Sequence, residues 1–193
     1  MVVGLDLFSK RDFASVTIKT IAKAARANSA LIYYYFQNKE DLFRASIEHA
    51  ILQALDNYAR LRDKHSHPVD LINAWFENNV EMAVPIRKLV KIMLDYSSSP
   101  TRLASVDVLI KHFYREEMSI LSNGVRQGIA LGLFERVDPE QAAQFASVHL
   151  DGIMVASMIR ADFDLQAAIG DLRELFWRHV GYCPGREQVL ANG

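Results

Sequence analysis

Residues 17 to 43 constrain this chain most tightly, because helix caps, apolar spacing and aromatic residues follow one another there without a gap. Val16, Thr17 and Ile21 fit the N′, N-cap and N4 positions of a short helix, giving a polar cap and a hydrophobic staple. Ile18, Ile21, Ala22 and Ala25 fall at i, i+3, i+4 and i+7, so one face is apolar, while Lys19 and Lys23 lie on the other. Arg26 and Ala27 form a turn, and Asn28 caps a second helix with Ala27 and Ile32 as its staple pair. Ile32 and Phe36 are one turn apart and anchor that helix to the first. Ser29 and Tyr33 share a different face, and Tyr34 and Tyr35 follow. Asn38 caps again and Lys39 opens a third helix. Two short helices joined by a tight turn read as a helix-turn-helix, whose second helix can lie in the DNA major groove.

The chemistry of the segment suits a phosphate backbone. Helix N-termini offer free N–H groups and a positive dipole end to anions, and Thr17 and Lys39 stand at two of them. Tyrosine hydroxyls and lysines donate to phosphates and fix register without reading sequence. Base reading falls to Asn28, Ser29, Ala30 and Tyr33 near the start of the second helix. Leu31 suits either a thymine methyl or a buried position.

This segment resembles the DNA-binding domain of the tetracycline-repressor (TetR) family of bacterial transcriptional regulators. The pattern is Thr17-Ile18, Ile21-Ala22, a turn, Ala30 through Phe36, then Asn38-Lys39-Glu40-Asp41-Leu42-Phe43, and the match covers about residues 5 to 45. The resemblance implies DNA contacts at Thr17, Lys19, Ser29, Tyr33, Tyr35 and Lys39, with Asn28, Ala30 and Tyr34 beside them. Two departures stand out. Arg26 occupies a turn position where the family usually has Gly, and Met1 falls inside the first helix, where family members have about a dozen further, often basic, residues.

Charge is distributed as this reading requires. Residues 1–45 hold seven Lys/Arg against four Asp/Glu, a net of +3, and the remainder holds 15 against 19, a net of −4. At 193 residues the chain can bury a large core. No run of about 18 apolar residues is evident, so no membrane span is expected. The start carries Asp6 and no small-residue cleavage site, unlike a signal peptide. The single Cys183 excludes an internal disulfide and fits a cytoplasmic location.

Beyond Phe43 the chain reads as helices throughout, so the expected fold class is all-α: a three-helix domain over residues 1–45 and a larger helical domain over 46–193. Helices are expected over 39–62, 69–84 (stopped by Pro85), 86–96, 102–131, 139–161 (capped by Asp138 with Pro139 at its first position) and 165–180. Loops are expected at 64–68 and 97–100, and a frayed tail over 186–193. The family resemblance implies that the larger domain binds a small molecule and forms a homodimer through its last two helices. Val148, Gly152, Val155, Ala156 and Ile159 on one, and Leu172, Leu175, Phe176 and His179 on the other, are candidates for that interface or for an intramolecular core.

Methionine and aromatic walls suit adaptable apolar pockets and ordinary cores alike. Trp75, Phe76, Met82, Met93, Tyr96, Phe113, Tyr114, Phe145, Met154 and Met158 are the candidate pocket residues, for an apolar or amphipathic effector, and Asn78 and Asn79 suit either polar contacts to it or a solvent-facing position. No cofactor or metal is expected: His112/Glu116 and His65/His67 are local pairs without the third and fourth ligands a metal site needs. No nucleophile, base and orienter can be assembled, so an enzyme is not expected. The sequence therefore points to a dimeric, ligand-responsive regulator, most often a repressor in this family, bound to a palindromic double-stranded operator. The alternative is an all-helical small-molecule binder or enzyme that kept a vestigial DNA-binding head.

Overall fold

The computed structural model describes residues 2–11, 13–98 and 102–184; the expected tail over 186–193 and residues 99–100 of the expected loop lie outside them. Regular structure among the described residues is helical: α1 Val2–Lys10, a 3-10 turn at Phe13–Ser15, α2 Ile18–Ala24, α3 Ser29–Tyr35, α4 Lys39–Lys64, α5 Pro68–Glu81, α6 Ala83–Ser97, α7 Ala104–Ala130, α8 Pro139–Ile159 and α9 Leu165–His179. The all-α fold class is observed. Two compact units are formed, one from described residues within Met1–Asp56 and Pro85–Phe113, the other from those within Asn57–Val84 and Tyr114–Gly193.

Local chemistry sets the helix ends. Asp138 caps α8 by accepting from the Glu140 and Gln141 N–H groups, with Pro139 following at the first turn. Asp164 caps α9 through the Ala167 N–H. Pro85 does not stop a helix, contrary to the sequence expectation. α5 ends at Met82, and Pro85 sits in the first turn of α6, where a backbone N–H has no intrahelical partner to lose.

Three helices end in one geometry. After α2, Arg26 N–H bonds Lys23 O and Ala27 N–H bonds Ala22 O; the same pair of bonds follows α7 at Gly132 and Leu133, and α9 at Gly181 and Tyr182. Each motif needs a left-handed residue, with φ 72° at Gly132, 65° at Gly181 and 52° at Arg26. The turn position occupied by Arg26 is thus a left-handed site held by a residue with a Cβ.

The first unit closes on aromatic rings. Phe8 and Phe13 stack at 5.8 Å, and both meet Phe43 at 4.9 Å. Asp6 on α1 pairs with Lys10 and with Lys88 of α6, each at 2.7 Å, and these partners hold its carboxyl below its ordinary range. The second unit buries Trp75, Phe76, Ile120, Leu121, Met154 and Phe176. In it α8 packs on α9 and α5 on α9, with the Phe76 and Phe176 rings 5.7 Å apart.

One expectation about apolarity is corrected here. α8, 21 residues long, contains an 18-residue window of mean hydropathy 1.3, enough by length and composition to cross a membrane. A third of that window is buried inside the protein, and Asp151 within it binds Tyr114 of α7. The apolarity serves packing on one side and leaves Val148 and Ile159 exposed on another.

Candidate nucleic-acid interface

The interface is built from α2 and α3, which pack together in the first unit. Thr17 and Thr20 form a reciprocal capping box: Thr17 Oγ1 accepts from Thr20 N–H at 3.1 Å, and Thr17 N–H donates to Thr20 Oγ1 at 3.0 Å. Ile18, Ile21 and Ala22 turn inward, while Lys19 and Lys23 are exposed. Asn28 Oδ1 accepts from Ala30 N–H at 2.9 Å and opens α3. Of α3's side chains only Ile32 is buried.

The rest of α3 faces outward. Tyr33, Tyr34 and Tyr35 are 57%, 81% and 67% exposed and form a contiguous aromatic surface. Tyr34 and Tyr35 rings lie edge to face at 5.1 Å, which holds the two hydroxyl-bearing rings in fixed relation. Leu31 is exposed, which removes the buried one of its two readings. Asn28 and Ala30 are exposed and Ser29 is half-buried beside them.

Lys39 also has partners inside the first unit. Its Nζ donates to Phe13 O at 2.9 Å and lies 4.2 Å from the Phe13 ring centre, so the ammonium fastens the 3-10 turn to the start of α4. Asn38 Oδ1 caps that helix by accepting from Asp41 N–H at 2.7 Å.

The residues expected at an effector pocket fall in both units. Met93, Tyr96 and Phe113 belong to the first, where all are buried. Tyr96 is corrected to a structural part: its hydroxyl accepts from Leu103 N–H at 2.7 Å and lies 3.0 Å from Asp107 Oδ1, and its ring lies 6.4 Å from Phe43. Trp75, Asn78 and Met154 belong to the second unit and are buried, whereas Met82 is 39% exposed. A cleft of about 380 Å³ between α5 and α9, lined by Phe76, Glu77, Val80, Ile169, Gly170 and Arg173, includes Phe76 alone of the expected residues. Of the expected interface residues, Val148, Gly152 and Ile159 are exposed and Val155 half-buried. Leu172 and Phe176 are corrected: both are buried within the unit, Phe176 against Phe76 and Trp177, while Leu175, also a candidate, is exposed on α9.

Sequence reasoning missed a buried polar cluster in the second unit. Glu117 of α7 accepts from Tyr58 of α4 at 3.1 Å and from Ser147 of α8 at 2.6 Å. Tyr114, one turn earlier on α7, donates to Asp151 of α8 at 2.9 Å. Burial pushes the Glu117 carboxyl up to about 7, with the Asp151 charge adding and the Ser147 and Tyr58 hydrogen bonds opposing. Burial also raises Asp151, Tyr58 and Tyr114 above their ordinary ranges. The available signal was spacing: Glu117 sits four residues from both Phe113 and Leu121, on the apolar stripe of its helix.

Comparison with known proteins agrees with this geometry. Residues 1–46 match the sequence pattern of bacterial regulatory proteins, tetR family. The biofilm operon icaADBC negative transcriptional regulator IcaR of Staphylococcus epidermidis is 27% identical over 113 residues, which is 58% of each chain. The transcriptional repressor NicS of Pseudomonas putida is 39% identical over 59 residues, 31% of this chain and 28% of that one. The matched segments therefore span about half or less of those relatives. A transcriptional regulator from Saccharomonospora viridis in complex with choline shares the fold at TM-score 0.80, with 18% identity and 92% of both chains covered. SmeT, the repressor of the Stenotrophomonas maltophilia multidrug efflux pump SmeDEF, follows at TM-score 0.72, 19% identity and coverage of 95% and 88%. Residues 1–46 thus carry the helix-turn-helix pattern of bacterial regulatory proteins of the tetR family, and the chain shares its fold with the regulators named.

Proposed function

We propose that this protein is a dimeric, ligand-responsive transcriptional regulator, acting as a repressor, that binds a palindromic operator in double-stranded DNA. The observation that carries the reading is the outward face of α3, where three adjacent tyrosines stand in solvent on a helix held by the single buried Ile32. Residues 1–45 are the DNA-binding part and 46–193 the effector-binding and dimerising part of this reading. Asn28, Ser29, Ala30 and Tyr33 face the bases, and Thr17, Lys19, Tyr34 and Tyr35 the phosphates. Lys39 supports them by fixing the turn that leads into Thr17.

The dimer reading is supported by the apolar face that α8 leaves open. Val148, Gly152, Val155 and Ile159 fall at i, i+4, i+7 and i+11, and Leu175 of α9 is 49% exposed. A two-fold dimer would cover such a face with its own copy. Control by a small molecule is supported by the choline bound to the Saccharomonospora viridis regulator and by triclosan bound to SmeT. The effector acts by its difference in affinity for DNA-competent and incompetent states; a hundredfold loss of operator affinity requires about 2.7 kcal/mol of that difference. The protein works in the cytoplasm, and its chemistry is binding rather than catalysis.

A gel-shift series with the duplex upstream of its own gene tests the reading. Tyr34→Ala should lower affinity on every sequence, and Ser29→Ala or Tyr33→Ala should also alter preference among operator variants. Retention of full affinity in Tyr34→Ala, with the fold intact, would show that the outward face of α3 is not the DNA surface.

A further inference from the structure

The polar cluster of the second unit has an excess of acceptors and of negative charge. Glu117 and Asp151 bring two carboxylates, and Tyr58, Tyr114 and Ser147 already give them their protons. Among the described residues no Lys, Arg or His pairs with either carboxylate, although Glu117 is 4% exposed. Buried carboxylates are normally paired with a cation or neutralised, because desolvation penalises the charged form.

An unpaired acceptor lies at the same level. Asn79 is fully buried; its Nδ2 donates to Trp75 O at 2.8 Å, and its Oδ1 has no hydrogen-bond partner. The register of α5 on α7 is fixed at two points. Gln127 Nε2 donates to Ser66 O at 3.2 Å, and Ile72 fills the space where Gly124 lacks a side chain, a Cβ there falling 3.1 Å from Ile72 Cγ1. The helices therefore run antiparallel. Asn79 is seven residues after Ile72 and Glu117 seven before Gly124, so at a common rise of about 1.5 Å per residue they stand level. α4 gives the same level independently: Asn57 donates to Asn78, and the next residue, Tyr58, donates to Glu117. Trp75, one turn before Asn79 on the same face, is also buried with its Nε1 unpaired. The cluster grades from buried Glu117 and Tyr58 to half-buried Tyr114 and Asp151, which gives a way in from solvent.

We propose that these residues form the effector site, and that the effector is a protonated primary or secondary amine. Its N–H groups are taken by the Glu117 and Asp151 carboxylates and by Asn79 Oδ1, and its apolar body lies against the Tyr58 and Tyr114 rings. Trp75 Nε1 is then free to donate to an acceptor on that body. A carboxylic acid is disfavoured by two like charges, and a quaternary ammonium has no proton for Asn79 Oδ1. This inference rests on the reading of residues 46–193 as the effector-binding part.

Calorimetry on the full chain at pH 8 tests it with phenethylamine, 2-phenylethanol and 3-phenylpropionate, which share a ring and differ in charge, and with n-butylamine as a second amine. Phenethylamine or n-butylamine should bind saturably, and phenethylamine at least tenfold tighter than 2-phenylethanol, with 3-phenylpropionate weakest. Glu117→Gln and Asp151→Asn, checked by melting to be folded, should each lose at least tenfold in amine affinity. The proposal is overturned if neither amine binds, if the alcohol or acid binds as tightly, or if amine affinity is unchanged in both variants. Amine binding that leaves operator affinity unchanged would uphold this site and overturn the regulatory reading instead.

Discussion

Glu117→Gln should stabilise the protein at neutral and alkaline pH and do little in acid. The carboxyl is buried among Tyr58 from α4, Tyr114 on its own helix and Ser147 and Asp151 from α8. Its pKa stands at about 7 against an ordinary 4.5. A raised carboxyl favours the folded state while it is neutral, so this contribution is complete below pH 4.5 and is lost as pH rises through about 7. At 1.36 kcal/mol per pH unit the loss amounts to about 3 kcal/mol above pH 7. Glutamine keeps the shape and cannot ionise; its amide can replace the carboxylate if one hydroxyl turns to accept. The variant should therefore exceed the parent by about 2–3 kcal/mol at pH 8, or roughly 4–12 °C in melting temperature for a chain of this size. The gap should shrink below about 1 kcal/mol at pH 5. Thermal or urea denaturation of both proteins at pH 5 and pH 8 measures it, and differencing the two removes the other titrating groups. A gap that does not change with pH, or a parent more stable at pH 8, would refute the reasoning.

Other outcomes follow from single residues. Arg26→Gly should raise stability by about 1 kcal/mol, because it removes a Cβ from a left-handed site that the two equivalent helix ends fill with Gly; melting curves would read it. Thr17→Ala should lose the reciprocal cap and about 1 kcal/mol, seen as a lower melting temperature and weaker operator binding together. Gly152→Arg should give monomers by light scattering. No atom lies within 4 Å of the Cβ position, so the protomer has room for the side chain and a partner subunit would not. An unchanged dimer in that variant would move the interface elsewhere.

The helical layout was largely legible because its signals are local. Thr17, Asn28, Asn38, Asp138 and Asp164 stand at N-caps, and all but Asp164 were read from spacing. Pro85 was misread because a proline that ends one helix and one that begins the next look alike when the connection is as short as Met82. The exposure of α3 was foreshadowed by tyrosines at positions that Ile32 and Phe36 leave to solvent. Leu172 and Phe176 could not be told from interface residues, since a helix stripe does not say whether its partner is the same chain or another. The Glu117 cluster was hidden for a different reason. Its members come from three helices, and only tertiary packing brings Tyr58, Glu117, Ser147 and Asp151 together.

Selection of bound duplexes from a random library by the full chain, repeated at low and at moderate salt, tests the central claim most directly. The account predicts enrichment of a palindrome whose half-sites lie about one helical turn apart, ~34–36 Å, with affinity falling steeply as salt rises because phosphate counterions are displaced. No enriched sequence, or binding that survives salt without sequence preference, would contradict it.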